Sequence, residues 1–399
     1  MRTVVAAIGL QVAFAALVLR FPPGKDALKW VSDGVGTLIG YAEEGTAFVF
    51  GPLLAVGKEN ETIFALQVLP VIVFLGALIG LLFYLRVIQY ATYVIGGGIA
   101  WLLGVTKVES MYASTVIFLG QSEAPLMIAP YLRTLSRSQV FTVMTAGFAA
   151  AAGSTLVGYS LLGAPLEYLL AAMVMNAPAG LLMAKIMWPD SAPDGDGENA
   201  DEAGHDRAAE PADQGRELDV RSVRDEESAN AIDALGRGAI AGGRIAVTVG
   251  GLLIAFVALI AMANGILGAV GGWFDYDGLT FQKLLGWALA PLAWLLGVPW
   301  SEAVEAGSYI GQKTVVNEFV AYASFGPNVP ELSSVTVVIV TFALAGFANF
   351  ASIAIQIGTI GALRPELRST LARLGLLALL AGSLANLSNA AIAGVVVSL

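Results

Sequence analysis

Runs of apolar residues, each too long for the core of a soluble domain, alternate along this chain with short polar stretches. A bilayer crossing takes about 20 mainly apolar residues. Val4–Leu19, Thr62–Leu85, Phe141–Leu162, Leu166–Met187, Ile245–Val270, Val335–Leu363 and Leu371–Leu399 supply that pattern. Two further stretches, around 103–132 and 280–323, are apolar but interrupted by polar residues. The pattern predicts an all-α polytopic membrane protein with about seven full crossings. Lys25–Tyr41 is amphipathic and too polar to cross, and Arg86–Leu103 carries Gly96-Gly97-Gly98 in its middle. Both are expected to lie along the membrane interface. Arg2 followed by an apolar run could serve as a signal peptide, but no small-x-small cleavage site precedes a polar domain. Val4–Leu19 is therefore expected to remain as the first span.

The two interrupted stretches echo one another. Leu103-Gly104-Val105, Glu109, Gly120-Gln121 and Tyr131 recur in order as Leu296-Gly297-Val298, Glu302, Gly311-Gln312 and Tyr322. Each is followed by a glycine-containing apolar segment, Gly147–Ser154 (GFAAAAGS) and Gly346–Ser352 (GFANFAS), expected to be a broken helix. An odd number of crossings separates the halves, which would invert one against the other. Chance likeness between Gly/Ala-rich segments is the competing account; the paired order of re-entrant stretch and small-residue helix favours a true repeat. Inverted repeats with interrupted segments in matching positions are how secondary transporters build a site near the midplane. The expected division is 1–61 as an N-terminal scaffold, then 62–188 as repeat 1 with a hairpin (about 103–135) and a broken helix (141–162). An acidic linker (189–236) follows, then repeat 2 (237–399) with a hairpin (about 280–324) and a broken helix (335–363).

Composition sharpens this picture. Hydrophobic residues make up 57% of the chain and charged ones 13%, against about a quarter charged in soluble domains. The formal charge of −10 is local, because residues 190–233 hold 15 of the 31 acidic and 4 of the 21 basic residues. That stretch is expected to be a disordered linker. Lys and Arg in the short loops favour a cytoplasmic N-terminus and linker and an outside C-terminus, in the plasma (inner) membrane. There is no cysteine, which excludes disulfide and thiolate chemistry, and the single His205 lies in the linker. Gly307 and Lys313-Thr314 have the outer spacing of a phosphate-binding loop, but Gln312 replaces its second glycine, so an ATP-driven pump is not expected.

Polar side chains concentrate at the interruptions. Gln121, Ser122 and Glu123 sit at the first, Lys313, Asn317 and Glu318 at the second, and Asn349 and Ser352 on the last broken helix. An acid at membrane depth costs on the order of 2.5–3.5 kcal/mol, so it needs a partner, a proton or a purpose. Lys313 and Glu318 could form a structural ion pair, but they are five residues apart, whereas a helix brings together neighbours three or four apart. Amides, hydroxyls and carboxylates together suit a neutral solute with several hydroxyl and amide groups, and Phe347 offers a face for a flat ring. Ser122 and Ser352 could instead bond backbone, Asn349 could glue helices together, and Phe347 and Phe319 could simply pack. Glu302 and Glu305 are expected to be scaffold charges.

Gly120-Gln121-Ser122-Glu123-Ala124-Pro125, Asn317-Glu318-Phe319-Val320-Ala321 and Gly346-Phe347-Ala348-Asn349 resemble the signature of the concentrative nucleoside transporters. The resemblance runs over essentially the whole chain from Val4 onward. It implies two re-entrant hairpins and two broken helices per protomer of a homotrimer. It also implies that Gln121, Ser122 and Glu123 contact the nucleobase with Phe347 beside it, and that Glu318, Asn349 and Ser352 hold the ribose. Gly120 would leave room for purine as well as pyrimidine nucleosides such as uridine. The implied partners are a nucleoside, the lipid bilayer and further copies of the chain, with no nucleic acid and no organic cofactor. Many members have one more N-terminal span; this chain begins at what would be their second.

In sodium-coupled relatives an Asn five residues before the hairpin Gln and a Ser in the GFA-type turn add oxygens to the cation. Val116 and Ala150 stand at those positions here. The carbonyls of Val116, Leu119 and Ala151 would be left as a degenerate sodium site. The resemblance with these departures implies H+ as the coupling cation, carried by Glu123 or Glu318, with Na+ as the alternative. Burial can raise a carboxylate pKa toward neutrality, and one proton crossing ~100 mV is worth about 2.3 kcal/mol, roughly fifty-fold accumulation. The expected activity is thus cation-coupled nucleoside import by alternating access, not catalysis. The alternatives are a symporter for another neutral polar solute and an intramembrane enzyme using Glu123 and Glu318. The enzyme is disfavoured because the chain offers no nucleophile–base set and no metal-ligand cluster.

Overall fold

The computed structural model describes residues 2–55, 63–190, 220–276 and 278–399, and every regular element among them is a helix. In chain order these are α1 (Arg2–Leu19), α2 (Pro22–Phe50), α3 (Phe64–Gln67), α4 (Leu69–Tyr84), α5 (Val87–Leu103), α6 (Lys107–Met127), α7 (Arg137–Ala149) and α8 (Gly153–Leu161). They continue with α9 (Leu166–Met187), α10 (Ala231–Gly272), α11 (Phe281–Leu295), α12 (Trp300–Val315), α13 (Glu318–Phe325), α14 (Ser334–Leu344), α15 (Phe350–Leu363) and α16 (Arg368–Ser398). Among the described residues six helical segments are long and apolar enough to cross a bilayer, and the α11–α12 pair, bent by 116°, would make a seventh. The chain is a multi-pass membrane protein.

Three expected boundaries are corrected by local chemistry. The interfacial helix expected over 25–41 runs over the whole of α2, because Pro22 and Pro23 open it at positions where no backbone donor is needed. The acidic linker expected over 189–236 lies mostly outside the described residues, His205 included. Its last residues are already helical, since Asn230 Oδ1 accepts from the backbone N–H groups of Ile232 at 2.9 Å and Asp233 at 3.0 Å and so starts α10. The hairpin expected over 280–324 holds three helices instead of two. Gly297, at φ 107°, and Pro299 turn the chain between α11 and α12, and a second break at Val316–Asn317 separates α12 from α13. The stretch over Val335–Leu363, expected to be a broken helix, is two helices, α14 and α15, each short by itself, with the break at Ala345–Asn349.

Both broken helices are real. In the first, Ser136 opens α7 through a capping box with Gln139, and Ala150–Ala152 run unwound before α8 begins. In the second, Ser333 caps α14 and Asn349 caps α15. The two stretches follow the same element order: α6, α7–α8, α9, then α12–α13, α14–α15, α16. The broken helices form the interior, buried without interruption over Val140–Ala152 and Thr336–Asn349. Helix α16 packs against α7, α9 and α14.

The periphery has the opposite character. Helix α10 has 42 residues, about 63 Å at 1.5 Å per residue, longer than a hydrocarbon core of about 30 Å. It shows apolar side chains outward, with Val247 and Ile254 each 76% exposed. Its inner face meets α4 through glycines. A Cβ on Gly76 would fall 2.6 Å from Gly238 O, and one on Gly242 2.6 Å from Ile72 O. Small residues let two helix backbones touch where lipid offers no hydrophobic drive to hold them together.

Candidate functional site

The tips of the two hairpins present the chemistry. Helix α6 breaks at Gly120, which adopts φ 75° and ψ 173°. A Cβ there would lie 2.8 Å from Ala152 Cβ in the first unwound stretch, so backbone conformation and close approach both require glycine. Hairpin 2 breaks at Val316, the residue after α12. Asn317 then caps α13, its Oδ1 accepting from Val320 N at 2.9 Å, which makes Glu318 the first helical residue.

One buried hydrogen-bonded chain joins both hairpins and both broken helices. Tyr159 OH, on α8, donates to Glu318 Oε1 at 3.1 Å. Asn349 Nδ2 donates to Glu318 Oε2 at 2.9 Å, while Asn349 Oδ1 accepts from Ser352 N at 2.9 Å. Ser352 Oγ accepts from Gln121 Nε2 at 2.8 Å. Gln356 Nε2 closes the chain, donating to Gln121 Oε1 at 3.0 Å and to Met144 O at 3.1 Å. Gln121, Glu318, Asn349 and Ser352 are thus brought together as expected. Tyr159 and Gln356 went unnoticed in the sequence. Gln356 was legible, because it lies one turn after Ser352 on the same face of an apolar helix. Tyr159 carried no such signal, and only packing puts its ring 4.6 Å from Tyr322 and 4.8 Å from Phe319.

The other expected site residues surround this chain. Phe347 N donates to Ala150 O at 3.0 Å, tying the two unwound stretches together, and its ring edge lies 3.7 Å from where a Gly120 Cβ would be. Ser122 is exposed and Glu123 half-buried, and neither side chain makes a hydrogen bond among the described residues. The side chains of Val116, Leu119, Ala150 and Ala151 are buried, and the carbonyl of Ala150 is already engaged by Phe347. A Cβ on Gly153 would meet the carbonyls of Ile117 and Phe118 at 3.8 and 3.9 Å, so hairpin 1 abuts the first break here. Among the described residues no group of three or more His, Cys, Asp or Glu could hold a metal ion. Glu302 accepts from Ser333 Oγ at 2.8 Å and Glu305 from Tyr309 OH at 2.6 Å, which fits structural charges. Lys313 and Glu318 hydrogen-bond elsewhere and not to each other.

Three family models match in sequence order. Residues 1–53 match the Na+ dependent nucleoside transporter N-terminus, 65–166 the nucleoside recognition gate, and 168–394 the Na+ dependent nucleoside transporter C-terminus. The chain belongs to the concentrative nucleoside transporter family. Members of this family are membrane transporters and not enzymes. The uncharacterized transporter YutK of Bacillus subtilis is 50% identical over 99% of this chain and 93% of its own length. The nucleoside permease NupC of Helicobacter pylori is 42% identical over 100% of this chain and 92% of its own. The structure of the transporter CNTnw in an inward-facing, substrate-bound state superposes with a TM-score of 0.89 at 45% identity, covering 100% of this chain and 91% of that one.

Proposed function

We propose that this concentrative nucleoside transporter imports nucleosides by cation-coupled symport and alternating access. The observation that carries the reading is the buried chain Tyr159–Glu318–Asn349–Ser352–Gln121–Gln356, which draws on all four interrupted elements. A carboxylate, amides and hydroxyls already bonded to one another can exchange those bonds for a ribose and a base at little net loss. In this reading Glu318, Asn349 and Ser352 hold the ribose. Gln121, Ser122 and Glu123 read the base edge, with Phe347 at its face. Its orientation has the N-terminus and linker in the cytoplasm, and the working unit is a homotrimer.

Proton coupling is the favoured mode. Neither Val116 nor Ala150 offers a side-chain oxygen, and Ala150 O is spoken for by Phe347 N. Glu123 and Glu318 are the candidate carriers. The description of the family models speaks for Na+, so the two ions are set against each other directly. Purified protein in proteoliposomes is given either a pH gradient without Na+ or a Na+ gradient at fixed pH, and uridine uptake is followed. Accumulation under the pH gradient alone supports proton coupling, and the carrier is whichever of Glu123→Gln and Glu318→Gln still binds uridine but no longer responds to the pH gradient. Accumulation that needs Na+ overturns proton coupling while keeping the nucleoside. No accumulation under either gradient, with purine nucleosides also tried, overturns the assignment of substrate.

A further inference from the structure

Lys313 is 2% exposed and makes no hydrogen bond to Glu318. Its Nζ donates to Ala343 O at 3.0 Å and to Asn386 Oδ1 at 2.8 Å, both uncharged acceptors. Asn386, on α16, donates from Nδ2 to Ala149 O at 2.7 Å and reaches Asn176 Oδ1 at 3.1 Å and Ala345 O at 3.4 Å. Asn176, on α9, donates to Ala345 O at 2.5 Å and accepts from Asn389 Nδ2 at 2.9 Å. The carbonyls in this cluster have one thing in common. Ala149 closes α7, and Ala343 and Ala345 straddle the end of α14, so they are among the groups a helix leaves unpaired at its C-terminus.

Each such end carries about half a negative elementary charge, and here two of them converge from the two broken helices. The opposite arrangement holds at the tip of hairpin 2. Glu318 begins α13, and both its oxygens accept hydrogen bonds, one of them from the residue that caps α15. The acid therefore sits at helix N-termini and the ammonium at helix C-termini, each where the backbone field favours its sign. In transporters built on broken helices, half-helix C-termini and unwound carbonyls are the groups that coordinate a cation.

We infer that Lys313 is a resident cation of this fold. Its tethered ammonium neutralises the converging C-termini of α7 and α14, and through Asn386 it fixes both breaks to hairpin 2. It is a positioning residue, because it acts on Glu318, five residues further along, by fixing the hairpin that carries it. The role depends on charge and not only on volume.

Lys313→Ala removes the equivalent of n-propylammonium, which is the probe, with n-propanol as its neutral counterpart. Melting temperature and nucleoside uptake are both read. The expected result is an uptake loss of at least tenfold in Lys313→Ala. Millimolar n-propylammonium should restore it at least threefold and raise the melting temperature of that variant but not of the wild type, and n-propanol should do neither. Equal rescue by n-propanol, or no stabilisation by either probe, overturns the inference. If Lys313→Ala is not recovered folded, Lys313→Met decides: a tenfold loss of uptake in monodisperse protein supports the charge, and a wild-type rate overturns it. The melting readout needs no nucleoside. A wild-type chain that accumulates none would sink the substrate assignment and leave this result standing.

Discussion

Glu318 accepts one hydrogen bond on each carboxylate oxygen, from donors contributed by different repeats. A hydrogen bond to a charged group is worth about 1.5–3 kcal/mol. Tyr159→Phe, which removes one and leaves the ring stacked on Tyr322, is therefore expected to weaken nucleoside affinity about tenfold or more with little change in melting temperature. Isothermal titration and a thermal melt on purified protein check the two. Gly120 makes a harder demand, because its φ of 75° and the 2.8 Å approach to Ala152 both exclude a side chain. Gly120→Ala should cost about 1–3 kcal/mol in stability and displace Gln121, read as a lower melting temperature together with a raised uptake KM. Gln121, Glu318 and Asn349 were legible because polar groups in apolar stretches need a reason. Asn317 was also conspicuous, but it proves to be a cap. Tyr159 was invisible, since a tyrosine in an apolar segment is ordinary and only its neighbours in space give it a role.

The helices were legible from apolar run length, and their interruptions from glycine and polar residues, yet all three corrected boundaries turn on a Pro, Gly or Asn at a terminus. Between elements the contacts are tighter than any pattern declares. Gly238 lies against α4 so closely that a Cβ would come 2.4 Å from Gly76 O. Gly238→Leu should pry α10 from α4, lowering the melting temperature by several degrees while uptake KM stays within twofold, because the site lies on other helices. At the start of α6, Glu109 Oε1 pairs with Lys185 of α9 at 2.6 Å, and Lys185 also reaches Asp190 at 2.5 Å. Glu109 is buried within its own capping box with Thr106. Lys185→Met strands that carboxylate and should destabilise by about 3–5 kcal/mol. Adding Glu109→Gln should recover much of the loss, and denaturant melts of the single and double variants measure it.

The assembled chain sets its charges and its exposed apolar surface apart. The buried cluster of Gln121, Glu318, Asn349 and Lys313 lies around the two breaks, whereas α10 turns Val247, Ile254 and Met262 outward. An apolar surface of this length needs lipid or another subunit against it. In the homotrimeric reading, native mass spectrometry from lipid nanodiscs is expected to give three chains per particle, and a monomer active in uptake would refute it.

Apolar run length alone determined that this chain crosses a membrane, because the hydrocarbon core imposes one length on every span. Its motif residues determined the family. Which polar groups meet was decided only in three dimensions. Gln121 and Ser352 are 231 positions apart and share a hydrogen bond, and Lys313 finds Asn386 and not the nearby Glu318. A linear pattern records which residues are costly to bury. The fold decides what each is buried against, because helix ends from both repeats converge on one point and sort the charges there by sign.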